Sequence, residues 1–313
     1  MLISIVIPAY NEEKNISEII SEIKQAFDTN LEESNTYEIL FIDDGSEDNT
    51  AQVLEEASLT DPLISYISFS RNFGKEAAML AGLRNASGDV VIIMDADLQH
   101  PPSIMLQMLK EYEKGYEQVI AKRNRKGENA TRKVLTTLYY KVINKVIDVE
   151  LVDGEGDFRL LSRKTVDAIL ELNEYNRFSK GLYSWVGFSK KVIEYDNQVR
   201  ESGKSKWSFK SLLNYGIDGV LSFNNKPLRL SILLGFSSIA LSLLYLIFLF
   251  VQIVIQGIET PGYFTTIAII LFFGGIQLIF LGVIGEYIGR IYYETKERPH
   301  YIVKSKKINH PKE

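Results

Sequence analysis

The 313-residue chain contains no cysteine, which excludes a disulfide framework, a thiolate metal site and a cysteine nucleophile. Histidine is scarce as well, with residues only at positions 100, 300 and 310. That is too few for a His-based zinc centre or a Ser-His-Asp triad to be the working chemistry. Any metal is therefore held by oxygen ligands and is hard, Mg²⁺ or Mn²⁺. Positive charge is not in excess: a formal net charge of −5 argues against a nucleic-acid binder. No Gly-x-Gly-x-x-Gly follows the first apolar run, which disfavours a dinucleotide fold. The Gly74-Lys75 pair in "RNFGKEA" lacks the earlier glycine of a P-loop and has Glu76 where Ser or Thr is needed. The N-terminal run "MLISIVIPAY" has no basic residues before it and no small-residue cleavage site after it. It reads as a buried strand rather than a signal peptide, so this part of the chain is expected to stay in the cytoplasm.

Long hydrophobic runs are present, and they divide the chain. No charged residue occurs between Arg229 and Glu259, or from Tyr263 to Gly285. Each stretch exceeds the roughly 20 residues that cross a bilayer core. We expect two transmembrane helices, about 230–257 and 263–285, joined by a short turn into a hairpin within residues 226–290. Lys226 and Arg229 precede the pair; Arg290, Lys296, Arg298, Lys304, Lys306 and Lys307 follow it. The positive-inside rule then places both termini in the cytoplasm, with residues 291–313 as a basic tail.

Residues 1–225 alternate apolar runs with amphipathic segments. "ISIVIPAY", "YEILFIDDG", "PLISYISFS", "GDVVIIMDAD" and "EQVIAKR" read as strands, and "EKNISEIISEIKQAF" and "GKEAAMLAGLRNA" as helices. The pattern predicts a doubly wound, mostly parallel α/β sheet, with ligands beyond the strands' C-terminal ends. Between Glu128 and Asp148 apolar residues recur at helical spacing with Arg and Lys between them. This segment is either a core-facing helix or a basic amphipathic helix on anionic lipid.

Acids gather at the strand ends: Asp43 and Asp44, then Asp95 and Asp97 in "DADLQHPP", with Asp157 in "DGEGDFRLLSR". Asp95 and Asp97 tolerate one another if a cation lies between them and a pyrophosphate.

Together "SIVIPAYNEEKNI", "FIDDGSEDNT", "GDVVIIMDADLQHPP" and "GDFRLLSR" resemble the inverting glycosyltransferases of GT-A fold. More narrowly the chain resembles the polyprenol-phosphate glycosyltransferases, its two C-terminal spans matching the bactoprenol branch. The resemblance implies donor contacts from Pro8, Tyr10, Glu12 and Asp44, with Asp95, Ala96 and Asp97 at the diphosphate. It implies a metal held by Asp95, Asp97 and Gln99, and Asp157 at the position usually given to the catalytic base. Arg123, Arg132 and Thr136 match the acceptor-phosphate site. Arg200 and Lys206, in a segment that resembles the family's mobile loop, match groups facing the leaving diphosphate. Arg71, Asn72 and Lys75 match donor contacts more loosely. The implied reaction carries a sugar from a UDP-sugar, UDP-glucose first, to undecaprenyl phosphate at the bacterial plasma membrane. GlcNAc, galactose and GDP-mannose are the alternatives for the sugar; a processive synthase or an inactive scaffold are the alternatives for the protein. A homo-oligomer is expected. Two helices are too few to move a glycolipid across a bilayer, so a separate flippase and a downstream transferase are expected partners. An acceptor phosphate monoester, with a second pKa of about 6, is already largely dianionic at neutral pH. Asp157 is therefore expected to orient the acceptor or assist the metal site as much as to remove a proton.

Overall fold

In the computed structural model, residues 1–32, 34–124, 155–195, 226–256 and 262–309 are described. Strands β1 (Leu2–Ala9), β2 (Thr36–Asp43), β3 (Ile64–Phe69) and β4 (Val90–Ile93) lie parallel in the order β4-β1-β2-β3. Helices α1 (Ile16–Asn30), α2 (Thr50–Thr60) and α3 (Lys75–Asn85) connect them, and α4 (Ser103–Glu113) follows β4. Both faces of the sheet are covered, which is why its strands read as unbroken apolar runs. Ile3, Ile5 and Ile7 of β1 pack with Ile16, Ile19, Ile23 and Phe27 of α1 and with Met105 and Met108 of α4. Val6 points the other way, into a core with Ala78, Met79 and Ala81 of α3. The four α1 residues form one stripe because their spacing follows the helical repeat. Full burial of a side chain of that size contributes about 1.5–3 kcal/mol. α3 comes so close to β1 that a Cβ on Gly82 would stand 2.1 Å from Val6 Cγ1.

The flanks depart from the parallel plan. After β5 (Gln118–Arg123) come β6 (Glu155–Ser162), α5 (Arg163–Leu170), α6 (Ser179–Trp185) and β7 (Lys190–Tyr195). Strand β6 inserts between β4 and β5 and is antiparallel to both, while β5 and β7 are parallel. The sheet is therefore parallel at its centre and mixed overall. This insertion positions the site. Ile93 pairs with Arg159 across the antiparallel ladder. Continuing that register by two residues brings Asp157 level with Asp95.

Two long helices, α7 (Lys226–Gln256) and α8 (Tyr263–Thr295), follow. Both are long and apolar enough to cross a membrane, over Leu233–Gln252 and Phe272–Thr295, the second window reaching past residue 285. Their apolar side chains, Phe236, Ile255 and Leu278 among them, are exposed. The exit of α8 is tied back to the sheet domain. Tyr175 donates its backbone N–H to Glu294 Oε1 at 2.7 Å, and its ring stacks on those of Tyr293 and His300. Tyr301 stacks on Phe69 at 4.8 Å between centroids. The segment that reads in the sequence only as a basic tail then forms β8 (Val303–Lys307), an antiparallel edge strand on β3.

Candidate active site

Three loops at the C-terminal ends of β1, β2 and β4 meet where open α/β sheets collect ligands. The β1–α1 loop, with Pro8 closing the strand and Tyr10 and Glu12 half-buried beyond it, is laced to the β2–α2 loop. Asn11, in the left-handed region at φ 56°, donates its N–H to Ser46 Oγ and accepts from Glu47 N. Glu12 donates its N–H to Thr50 Oγ1, and its carboxylate accepts from Asn15, which also reaches the Ala96 carbonyl. Asp44 is buried and clamps the β3–α3 loop, accepting from the backbone N–H groups of Phe73 (2.7 Å) and Gly74 (2.9 Å). Burial pushes its carboxyl up, against the pull of those two hydrogen bonds. Arg71 and Asn72 are exposed on the same loop, Arg71 lying over the Phe73 ring.

Strand β4 ends at Ile93, so Asp95 and Asp97 stand on a bent loop and not on an extended segment. Leu98, at φ 56°, is a branched residue in the left-handed region between Asp97 and Gln99. Such strain concentrates where the chain must present particular groups. Asp97 Oδ1 accepts from Gln99 N, and Gln99 and His100 are buried.

The centre of the arrangement is Lys75, in the first turn of α3. Its ammonium lies 2.6 Å from Asp95 Oδ1 and 2.6 Å from Asp157 Oδ2. His100 Nε2 stands 3.7 Å from Asp95 Oδ2, and His100 Nδ1 is 2.7 Å from Tyr195 Oη. Burial works against ionisation of Asp95, but Lys75 and His100 outweigh it and hold the carboxyl well below the usual range. Asp157 is likewise depressed: burial raises it, yet the ammonium groups of Lys75 and Lys180 prevail. Lys75 in turn is held above its ordinary value, its two acid partners overcoming burial.

Do these groups suit a divalent cation? Asp95 and Asp97 supply hard oxygen donors on one loop, and Gln99 follows on the same loop, its backbone N–H on Asp97. Among the described residues no three acids or histidines converge into a ready-made cage. The donor set fits Mg²⁺ or Mn²⁺ bound through one or two carboxylates, with a substrate diphosphate completing the shell.

Glu76, passed over in the sequence except as a departure from the P-loop, is the next residue on α3. Both its oxygens accept from Ser179 N at 3.2 Å, and Ser179 Oγ donates to it as well. Burial pushes its carboxyl from 4.5 up to about 7; the Ser179 hydroxyl pulls down, and Asp157 adds to the rise. The folded state thus keeps a proton that the unfolded chain gives up at lower pH. Stability from this group is full below about 4.5, falls as pH rises towards about 7, and is constant above. We expect Glu76→Gln to remove that decline. Melting of the detergent-solubilised protein from pH 5 to 8 checks it, and an unchanged slope in the variant refutes the assignment.

Pro8, Tyr10, Glu12, Asp44, Arg71, Asn72, Lys75, Asp95, Ala96, Asp97, Gln99 and Asp157 therefore lie on loops, strand ends and the first turn of α3 at one end of the sheet. Arg132, Thr136, Arg200 and Lys206, the segment 128–148 and the side chain of Arg123 lie outside the described residues. His100 had a signal of its own, since it lies three residues after Asp97 in the same motif. Glu76 had none, because its partner is 103 residues away.

Residues 4–170 match the model of "Glycosyl transferase family 2", and residues 226–291 match that of the "GtrB C-terminal hairpin". The chain is 56% identical to the putative glycosyltransferase CsbB of Bacillus subtilis, over 98% of this chain and 92% of that protein. It is 40% identical to the bactoprenol glucosyl transferase of Shigella phage SfX, over 98% of this chain and 100% of that one. Among solved structures, glucosyl-3-phosphoglycerate synthase from Mycobacterium tuberculosis aligns at 20% identity with a TM-score of 0.44, covering 71% of this chain and 79% of that one. The two family models thus cover most of the sheet domain and the apolar helical pair, and the chain belongs to glycosyl transferase family 2, with a GtrB-type hairpin at its C-terminal end.

Proposed function

We propose that this glycosyltransferase moves glucose from UDP-glucose to undecaprenyl phosphate at the cytoplasmic face of a bacterial plasma membrane, inverting the anomeric carbon with help from Mg²⁺ or Mn²⁺. The observation that carries the reading is the meeting of Asp95 and Asp157 at Lys75, at the open end of the sheet. Relatives covering nearly the whole chain bear the name bactoprenol glucosyl transferase, which supports this acceptor and this sugar. Exposed apolar helices that return the chain to its own sheet support a hairpin with both ends on the catalytic side.

In this reading Pro8, Tyr10, Glu12 and Asp44 border the nucleoside, and Arg71 and Asn72 stand beside it. Arg123, Arg132 and Thr136 orient the acceptor phosphate, and Arg200 and Lys206 face the diphosphate. A divalent cation on Asp95 and Asp97 would neutralise charge on the departing UDP, where charge develops in the transition state. The acceptor's phosphate oxygen forms its bond to the anomeric carbon as the bond to the diphosphate breaks on the opposite face. Asp157, depressed by two ammonium groups, is a poor proton acceptor. Its role is to hold Lys75 and align the acceptor. A homo-oligomer, a flippase and a downstream transferase complete the proposal.

A transfer assay in detergent tests it. Purified protein meets labelled UDP-glucose, UDP-GlcNAc, UDP-galactose or GDP-mannose with undecaprenyl phosphate, with and without EDTA. Labelled lipid from UDP-glucose, lost with EDTA, is expected. Label from another donor overturns the choice of sugar, and no labelled lipid from any donor overturns the acceptor.

A further inference from the structure

The ammonium of Lys75 stands where a cation is wanted. It bridges two carboxylates brought together by β4 and β6, and its 2.6 Å contact is with an oxygen of Asp95 itself. A divalent ion binds a carboxylate oxygen at about 2.0–2.2 Å, and on Asp95 it would lie beside the ammonium, the two cations repelling each other across one carboxylate. Lys75 and a metal would therefore compete for the charge of Asp95, whose second oxygen, Oδ2, faces His100. Building on the reading of this site as metal-assisted, we infer that Lys75 is its resident counter-ion, competing with the divalent cation for Asp95, so that metal enters together with the donor's diphosphate.

Charge supports the ordering. Asp95, Asp97 and Asp157 carry three formal negative charges against the ammonium groups of Lys75 and Lys180, leaving −1, so a divalent ion alone would turn the site positive. When a diphosphate arrives, its own negative charges make room for both cations. Lys75 is free to change partners: 43% of its side chain is exposed, and it swings on a flexible four-carbon stem. It lets go of Asp95 and keeps Asp157, so the acid facing the acceptor stays paired throughout. Lys75 is in these terms a positioning residue, holding the acids together before the donor binds and yielding to the metal afterwards.

The test reads metal binding directly, apart from activity. Mn²⁺ is titrated into the full-length detergent-solubilised protein, with and without UDP, and free Mn²⁺ is followed by its paramagnetic resonance signal. Without UDP, Lys75→Met is expected to bind Mn²⁺ at least about tenfold more tightly than wild type, having lost one positive charge a few ångströms from the ion. With UDP present the gap closes. Lys75→Arg, which keeps the charge, should stay close to wild type. Should the apolar stem disturb folding, Lys75→Gln gives the same comparison, and UDP binding reports an intact site. If the neutral variants bind Mn²⁺ no more tightly than wild type without UDP, the competition is refuted. If Asp95→Asn keeps wild-type Mn²⁺ affinity, the ion sits elsewhere and the inference falls. Absence of Mn²⁺ binding in every protein, UDP present or not, removes the metal-assisted reading itself and the competition with it.

Discussion

Asp95→Asn is expected to lower sugar transfer by about 10³-fold while the protein still folds and still binds UDP weakly. The side chain serves two partners, Lys75 now and, in the proposed reaction, the metal at the diphosphate. An amide matches the carboxylate in shape, so the loop keeps its form, but it neutralises neither. Removing one electrostatic stabiliser of a developing charge costs about 10²–10³-fold, and loss of the metal with it takes the effect to the upper end. Labelled lipid formed per minute is the measurement; a variant that keeps a tenth of the wild-type rate would contradict a metal at Asp95. Asp157→Asn should be milder, at most about 100-fold, because it loses alignment and not proton removal. Its pH–rate profile separates the two roles. A basic limb present in wild type and absent from the variant, with substrate binding intact, would restore Asp157 as a general base.

Gly45→Ala carries the largest expected cost to the fold. Gly45 sits at φ +66°, and a Cβ there would lie 2.2 Å from the backbone carbon of Arg71 and 2.6 Å from its carbonyl oxygen. Backbone cannot rotate aside as a side chain does. The methyl group must push the β3–α3 loop off the Asp44 carboxylate, breaking the bonds to Phe73 and Gly74. Overpacking and a strained left-handed alanine each cost about 1–3 kcal/mol. The loop also leads straight into Lys75, so UDP affinity should fall more than tenfold along with the melting temperature. Thermal melts in detergent paired with a UDP titration decide it. An unchanged melting point and UDP affinity would mean the loops do not meet as described.

The parallel centre of the sheet was legible because covered strands are apolar throughout, as "ISIVIPAY" and "GDVVIIM" are. β6 was not legible as a strand. It carries Arg159, buried to 1% exposure beneath the Tyr183 ring, and a charged residue inside a core strand conceals it. β8 hid for the opposite reason: "VKSKK" is the polar sequence that suits an exposed edge. The acids were legible as a set, since their spacing survives without any knowledge of where they meet. What joins them was not. Lys75 lies 82 residues from Asp157, and only the antiparallel insertion of β6 brings the two together.

The edge strand bears on how the protein is made. β8 is synthesised after both apolar helices, yet it covers β3, translated more than two hundred residues earlier. Until it arrives, the outer backbone groups of β3 are an open edge of the kind that recruits other chains. If the two helices cross a bilayer as proposed, the strand reaches β3 only when the second helix brings the chain back to the side it left. A helix that stops short or inserts the wrong way strands β8 across the membrane. On that topology, completing the sheet would depend on correct insertion, and a misinserted copy would keep the outer edge of β3 open.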